Sequence, residues 1–232
     1  MTKRAETATE TLGLLSVVRS VGLGLVAVLA LGVPTSGAAE PLRLLAFGDS
    51  LTHGYGLPAG ETFPDQLQAA LRAEGYAVEV LNGGNSGDTT AAGLARLDWA
   101  LADDPDAVLV ELGANDGLRG IDPADTRANL DAILTRLGAE GLPVLLAGML
   151  APRNLGPDYT AAFDSVFPDL AEAHGVPLYP FFLDGVALEA ALNQDDGIHP
   201  NAKGVAVIVE RILPHVAALL EGAAVKRAGA DG

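Results

Sequence analysis

Residues 44–56, LLAFGDSLTHGYG, run from a continuous apolar segment directly into Gly-Asp-Ser. An apolar run of this kind is typical of a buried strand, so Ser50 is expected where that strand ends. Two interpretations of Ser50 follow. It is a turn or helix-capping residue, since Ser and Asp both favour those positions, or it is a nucleophile held at the edge of a sheet.

The apolar segment before Ser50 is the first of five that alternate with helical segments. The expected strands cover residues 42–47, 77–81, 107–112, 143–149 and 176–181, and the expected helices about 64–74, 89–101, 123–139, 158–174 and 201–220. The strands are almost continuously apolar, as parallel strands covered on both faces are. The alternation predicts one α/β domain with a five-stranded parallel sheet and right-handed crossovers. Pro168 and Pro214 are each expected to kink or split their helices.

Composition and charge exclude several classes of partner. The chain has 232 residues, of which 49% are hydrophobic and 19% charged, so it forms a substantial core. Its net charge of −16 argues against nucleic acid, which needs a basic surface, and against electrostatic docking on anionic lipid. The chain has no cysteine, which excludes disulfides, a thiol nucleophile and a lipid anchor on cysteine.

The N-terminal segment predicts export. Basic residues up to Arg19 precede the apolar segment 21–33, and the small residues of PTSGAAE, residues 34–40, follow it. Thirteen apolar residues suit a signal peptide better than a membrane span. We therefore expect a signal peptide over residues 1–39 and a catalytic domain over 40–232. A start codon assigned too early would explain the long stretch before Arg19. The protein is then periplasmic or secreted, without a stable membrane anchor after cleavage; the alternative is an uncleaved anchor.

Polar residues follow each expected strand. The segments are Gly48-Asp49-Ser50, NGGNSGDTT (82–90), GANDGLRG (113–120) and LAPRNLGPDY (150–159), and QDDGIHPN (194–201) precedes the last helix. Each is explained separately by turn chemistry. Because ligands of such sheets bind beyond the carboxyl ends of the strands, the loops together place a hydroxyl, backbone amides, a carboxamide, carboxylates and an imidazole on one rim.

This set of groups meets the requirements of acyl transfer. A serine hydroxyl needs a base, histidine suits that task, and the imidazole needs a partner on its other nitrogen. His53 follows Ser50 by three residues, but His199 has Asp196 three residues before it and Pro200 after it, which favours an extended backbone. We favour His199 as the base and expect His53 to be a rim residue.

Four sequence blocks resemble those of the SGNH hydrolases, also called the GDSL esterase/lipase family. GDSLTHGYG matches the serine block, NSGDTT the glycine block, GANDG the asparagine block and DDGIHP the Asp-x-x-His block. The resemblance implies that Ser50 is the nucleophile, Asp196 the orienting acid and His199 the base. It also implies an oxyanion hole formed by the backbone N–H groups of Ser50 and Gly87 and by the side chain of Asn115.

The resemblance extends over about residues 42–220 and implies a flavodoxin-like three-layer sandwich. It is closest to a bacterial periplasmic branch with arylesterase, acyl-thioesterase and lysophospholipase activities. The implied substrate is a small-molecule acyl ester or thioester, and no cofactor or metal is expected. Leu118, Ile121, Leu150 and Leu155 follow the third and fourth strands and favour an acyl chain, although they are also explained as ordinary core.

Three alternatives remain. A carbohydrate O-acetyl esterase shares the fold and the triad. A non-enzymatic flavodoxin-like protein would use GGNSGDTT, residues 83–90, as an anion cradle, which leaves the Asp196–His199 pair unexplained. A metal site on Asp195, Asp196 and His199 would need further ligands, and the sequence offers no obvious cluster.

Overall fold

The computed structural model describes residues 40–230 of the chain. The predicted signal segment, residues 1–39, lies outside the described residues. The strands are β1 (Leu42–Gly48), β2 (Val78–Gly84), β3 (Ala107–Glu111), β4 (Val144–Ala147) and β5 (Leu178–Tyr179). They form one parallel sheet in the order β2-β1-β3-β4-β5, which confirms the predicted α/β fold with a five-stranded parallel sheet.

Helices cover both faces of this sheet. They are α1 (Ser50–His53), α2 (Phe63–Ala73), α3 (Thr90–Leu101), α4 (Ala114–Arg119), α5 (Pro123–Ala139), α6 (Pro157–Asp164), α7 (Val166–His174) and α8 (Ala202–Ala230), with a 3-10 turn at Arg153–Leu155. Helix α2 packs against α8, whereas α5 packs against α3 and α7. The chain steps from β1 outward to β2 and then returns across the sheet to β3, so right-handed crossovers place these two groups of helices in opposite layers.

The strand order reverses at β1, and this reversal positions the site. The loops after β1 and β3 leave the same edge of the sheet in opposite directions, which opens a crevice between them. Ser50 follows β1 and Asn115 follows β3. The polar loop after β2 lies beside them, because Gly84 pairs with Gly48 at the end of the ladder.

Strand β5 is much shorter than the six residues expected. Pro177 and Pro180 flank Leu178–Tyr179, and proline has no N–H to donate to a sheet. The strand pairs only with β4, at the edge of the sheet. Strand β2 instead extends beyond its apolar part, because Asn82 and Gly83 pair with Ala46 and Phe47 of β1.

The two helix-internal prolines behave differently from each other. The segment expected to be one helix over 158–174 is divided at Ser165, three residues before Pro168. Proline clashes with the carbonyl group four residues before it and cannot bond to it. That carbonyl belongs to Asp164, where α6 ends, so Pro168 comes to lie in the first turn of α7.

Pro214 does not split its helix, so the expectation of a split is wrong. Helix α8 is assigned as one helix through Pro214 and extends to Ala230, beyond the expected end at 220. Ile212 and Val216 are fully buried on either side of the proline, whereas Glu210, whose carbonyl loses its partner, is exposed to water. Burial on one face and hydration on the other keep the helix continuous. Within residues 40–230, no helix combines the length and the hydropathy needed to cross a membrane.

Candidate active site

Ser50 is the first residue of α1, immediately beyond β1. The residue that caps the helix is Asp49, whose Oδ1 accepts the N–H of Leu51 at 2.9 Å, and not Ser50. The Ser50 side chain therefore does not cap the helix. Gly48 is required at the bend, since a Cβ there would lie 2.1 Å from Thr52 Oγ1 and 2.5 Å from Glu111 Oε2.

Ser50, His199 and Asp196 form a continuous chain of polar contacts. Ser50 Oγ lies 2.9 Å from His199 Nε2, and His199 Nδ1 lies 2.7 Å from Asp196 Oδ2. The other carboxylate oxygen of Asp196 accepts the N–H groups of Ile198 and His199, both at 3.0 Å. The hydrogen bonds from His199 lower the pKa of Asp196 to about 2, so the acid is ionised beside the imidazole. This arrangement can move a proton from the hydroxyl to the imidazole.

Two residues that sequence reasoning missed hold the histidine loop against the serine loop. The side-chain amide of Gln194 donates to Tyr55 O at 2.7 Å and to Pro200 O at 3.0 Å. The Tyr55 ring lies 4.6 Å from the His199 ring, between centroids. Tyr55 lies within the GDSLTHGYG block and Gln194 directly before DDGIHP, but nothing in their residue types signalled the contact.

Gly87 lies in the loop between β2 and α3 and faces the same cavity as Ser50. Its φ of +87° is a conformation that residues with a Cβ rarely adopt. A Cβ at this position would meet nothing nearer than Arg119 Nη2 at 3.8 Å. The backbone conformation, rather than crowding from the protein, therefore explains the glycine. The same arginine donates to Gly87 O at 2.8 Å and helps to hold the loop.

The Asn115 side chain is held by two hydrogen bonds. Its Nδ2 donates to Asp49 Oδ2 and to Asp88 O, both at 3.0 Å. Both amide hydrogens thus have acceptors within the protein. An oxyanion that binds beside Asn115 would share one of these hydrogens, and the orientation of the group is set before substrate arrives.

A pair of buried carboxyl groups lies behind Ser50, and sequence reasoning missed it. Asp49 and Glu111 are both fully buried. Glu111 Oε2 accepts the Thr52 hydroxyl at 2.7 Å and the N–H of Asp49 at 3.4 Å. Burial raises the pKa of Asp49 to about 6. Burial and the charge of Asp49 raise the pKa of Glu111 well above its usual value.

A cavity of about 750 Å³ opens beside Ser50 and His199. Gly87 and Asn115 also line it. Of the four residues expected to line an acyl groove, Leu118 and Leu150 do so, whereas Ile121 and Leu155 are not among the lining residues. Sequence reasoning missed most of the apolar wall, which includes Leu51, Met149, Ala151, Phe181, Leu183, Leu188 and Ile198.

The remaining histidines lie outside the chain of contacts around Ser50. The His53 side chain is exposed, and its backbone carbonyl accepts from Asn82 Nδ2. His174 ends α7, where its Nε2 lies 2.7 Å from Asp131, and the His215 ring packs at 5.2 Å from that of Tyr179. Across residues 40–230, no group of three or more His, Cys, Asp or Glu side chains is arranged to hold a metal ion.

A family model and several known proteins match most of the described chain. A family model described as the GDSL-like Lipase/Acylhydrolase family matches residues 46–207. Esterase TesA of Pseudomonas aeruginosa is 42% identical over 178 residues, which are 76% of this chain and 89% of that protein. The Escherichia coli (strain K12) protein named thioesterase 1/protease 1/lysophospholipase L1 is 43% identical over 165 residues, which are 71% of this chain and 78% of that protein.

The fold comparison agrees with the sequence comparison. A crystal structure of TesA is 42% identical and matches with a TM-score of 0.73, covering 76% of this chain and 99% of that chain. The matched sequence span of 46–207 contains the loop after each of the first four strands and the segment before α8. The five site residues predicted from the sequence, Ser50, Gly87, Asn115, Asp196 and His199, all lie within it.

Proposed function

Because the chain belongs to the GDSL-like lipase/acylhydrolase family, the SGNH hydrolases, we propose that it is a serine esterase in which Ser50 attacks the substrate carbonyl. The chain is a hydrolase acting on ester bonds, as its relatives named esterase and thioesterase are. The observation that carries the proposed mechanism is the pair of contacts at His199, which lies 2.9 Å from Ser50 Oγ and 2.7 Å from Asp196 Oδ2.

The reaction proceeds in two halves. His199 Nε2 accepts the Ser50 proton as Oγ bonds to the carbonyl carbon, and the imidazolium then gives that proton to the leaving alcohol or thiol. Water attacks the acyl-enzyme in the second half, again with His199 as the base, and releases the carboxylic acid. Asp196, ionised throughout, holds the proton-bearing Nδ1 and stabilises the imidazolium.

Three donors receive the oxyanion of the tetrahedral intermediate. They are the backbone N–H groups of Ser50 and Gly87 and the side-chain amide of Asn115. The Ser50 N–H is the first of helix α1 and has no carbonyl to bond within that helix. The Asn115 amide adds a donor without negative charge, and its bonds to Asp49 and Asp88 fix its direction in advance. Preorganised donors of this kind lower the barrier because they need no rearrangement during the reaction.

The cavity favours acyl chains as substrates. Its wall is mainly aliphatic and aromatic, and each buried CH₂ of a chain contributes up to about 0.8 kcal/mol. We expect kcat/KM for p-nitrophenyl esters to rise from acetyl towards medium chains and then level off. Acyl thioesters and lysophospholipids share the reacting carbonyl and are expected substrates. Activity confined to acetylated sugars, with no gain from longer chains, would favour the carbohydrate O-acetyl esterase instead.

Site-directed variants and a serine-directed label test the assignment. A fluorophosphonate should label the wild type and not Ser50→Ala. Ser50→Ala and His199→Ala should each lose on the order of 10⁴-fold or more in ester hydrolysis, and Asp196→Asn about 10³- to 10⁴-fold. His53→Ala is the matched control, because its side chain is exposed and takes no part in the contacts around Ser50. An inactive His53→Ala beside an active His199→Ala would show that the base is assigned wrongly.

A further inference from the structure

Exposed apolar side chains concentrate around the mouth of the cavity. Among residues 40–230, the large hydrophobic side chains that stand exposed are Tyr55, Trp99, Leu118, Leu150, Leu155, Leu188, Ile198 and Val225. Five of these eight line the cavity, and we call those five, Tyr55, Leu118, Leu150, Leu188 and Ile198, the collar. An exposed apolar patch around a cavity marks an interaction surface, whereas scattered exposed residues need no explanation.

Leu188 is the most exposed member of the collar. Its side chain is 94% exposed, and its φ of +67° is unusual for a residue with a branched side chain. Contacts within the segment hold it in this position. Nδ2 of Asn193, itself a nearly buried residue, donates to Val186 O at 2.7 Å and to Glu189 O at 2.9 Å, on either side of Leu188. The fold thus holds a leucine in water in a rarely adopted conformation.

Charge decides which surface fits the collar. Arg119 and Glu189 adjoin collar residues in sequence and are exposed, so both signs of charge lie beside the apolar side chains. The chain as a whole carries −16, which opposes approach to anionic lipid and to a second copy of itself. A zwitterionic headgroup layer carries no net charge, presents both signs and covers an apolar interior.

We propose that the collar docks on the surface of zwitterionic lipid aggregates, so that single-chain acyl esters pass from the aggregate into the cavity. The passage of substrate rests on the proposed function, whereas the docking does not. The collar side chains then bury in the headgroup layer around the cavity mouth, and an acyl chain moves from one apolar environment to another. The acyl chain of the substrate therefore does not have to cross water.

Vesicle binding tests the docking without any reaction. The purified protein is sedimented with vesicles of diether phosphatidylcholine, whose chains carry no ester bond. Leu188→Ser and Ile198→Ser should each weaken partitioning about fivefold or more, and the double variant about 20-fold or more. Trp99→Ser and Val225→Ser are the controls, because those side chains are 76% and 75% exposed but do not line the cavity. We expect them to stay within about twofold of the wild type. Every variant carries the same N-terminus as the wild type, so any contribution of residues 1–39 to vesicle binding cancels when the variants are compared.

Four results would contradict the docking proposal. The first is a wild type that does not bind the vesicles. The second is a set of collar variants that bind no more weakly than the controls, and the third is a dimer, seen by sedimentation velocity, that Leu188→Ser dissociates. Stronger binding to anionic than to zwitterionic vesicles would also contradict it. Hydrolysis of a water-soluble short-chain ester by the wild type, measured in parallel, keeps the two proposals apart. A wild type that hydrolyses the ester but does not bind the vesicles overturns the docking alone, and a wild type that binds the vesicles without hydrolysing the ester overturns the esterase alone.

Discussion

Asn115 has two partners in the free enzyme, and this determines what its loss will do. Asn115→Ala removes the proposed oxyanion donor, so kcat should fall about 10²- to 10³-fold while KM changes little. It also leaves Asp49 Oδ2 without its amide partner in a buried position, which should lower the free energy of unfolding by about 1–3 kcal/mol. Steady-state kinetics, corrected by titrating the fraction of active sites, separates the two effects. A large rise in KM at normal kcat would mean that Asn115 only positions substrate.

The carboxyl pair of Asp49 and Glu111 predicts an unusual dependence of stability on pH. The folded state holds the pKa of Asp49 at about 6 and that of Glu111 well above its usual value, so between about pH 4 and 6 it binds more protons than the unfolded chain. Stability contributed by this pair is present at low pH and declines as the pH rises through the folded pKa values.

Glu111→Gln should remove much of this decline. The amide retains an oxygen to accept the Thr52 hydroxyl but carries no charge beside Asp49. We expect the free energy of unfolding to rise by on the order of 1–3 kcal/mol at pH 8 and by much less at pH 4.5. Thermal unfolding of both proteins across this range is the measurement. Parallel pH profiles for wild type and variant would show that Glu111 contributes nothing to the slope.

At the scale of helices, strands and loops, the sequence predicts the features that depend on a single local pattern. The five strands and the loops with Ser50, Gly87 and Asn115 were readable because buried parallel strands are continuously apolar and their βα loops need small polar residues. The role of Glu111 was not readable: it lies within the expected strand 107–112, and nothing in that local pattern shows which groups its carboxyl meets. Its burial depends on Thr52, which lies far away in the sequence. The apolar wall from Phe181 to Leu188 depends likewise on how distant loops meet.

The two prolines at 168 and 214 show the same limit of prediction from local sequence. Pro168 was expected to disturb its helix, and the break lies at Ser165 because the carbonyl that the proline displaces is that of Asp164. Pro214 carries the same local signal, yet α8 continues through it, because its flanking residues are buried against the sheet layer. Tertiary packing, which no local pattern reports, decides between the two outcomes.

Helix α8 should therefore become more stable without its proline. Pro214 is exposed within the helix, so Pro214→Ala restores the hydrogen bond to Glu210 O without removing a core contact. We expect the free energy of unfolding to rise by about 1–3 kcal/mol. Pro123→Ala is the matched control: Pro123 opens α5, where its missing N–H costs little, and its change should stay within about 0.5 kcal/mol. Chemical denaturation measures both, and an equal effect at the two sites would contradict this account of α8.

At the scale of the whole molecule, the strand order explains why one site draws on so much of the chain. Ser50 and His199 are separated by 149 residues and meet at 2.9 Å. The reversal at β1 brings the loops after β1, β2 and β3 to one edge, and the segment before α8 closes it through Gln194 and Tyr55. A substitution that disturbs any of these loops is therefore expected to affect the same chemistry.

The N-terminal segment predicts where the molecule acts. The apolar segment 21–33 and the small residues before Glu40 predict cleavage at about residue 39 or 40. Because β1 begins at Leu42, such cleavage removes no residue of the sheet, and the esterase should remain fully active afterwards. Mass spectrometry of the protein from the periplasm of its native host determines the N-terminus. Replacing the small residue at the expected site, Ala39→Lys, should leave an uncleaved, membrane-associated form, since signal peptidase requires a small residue there. An intact N-terminus in the membrane fraction of the wild type would mean instead that the apolar segment is an anchor.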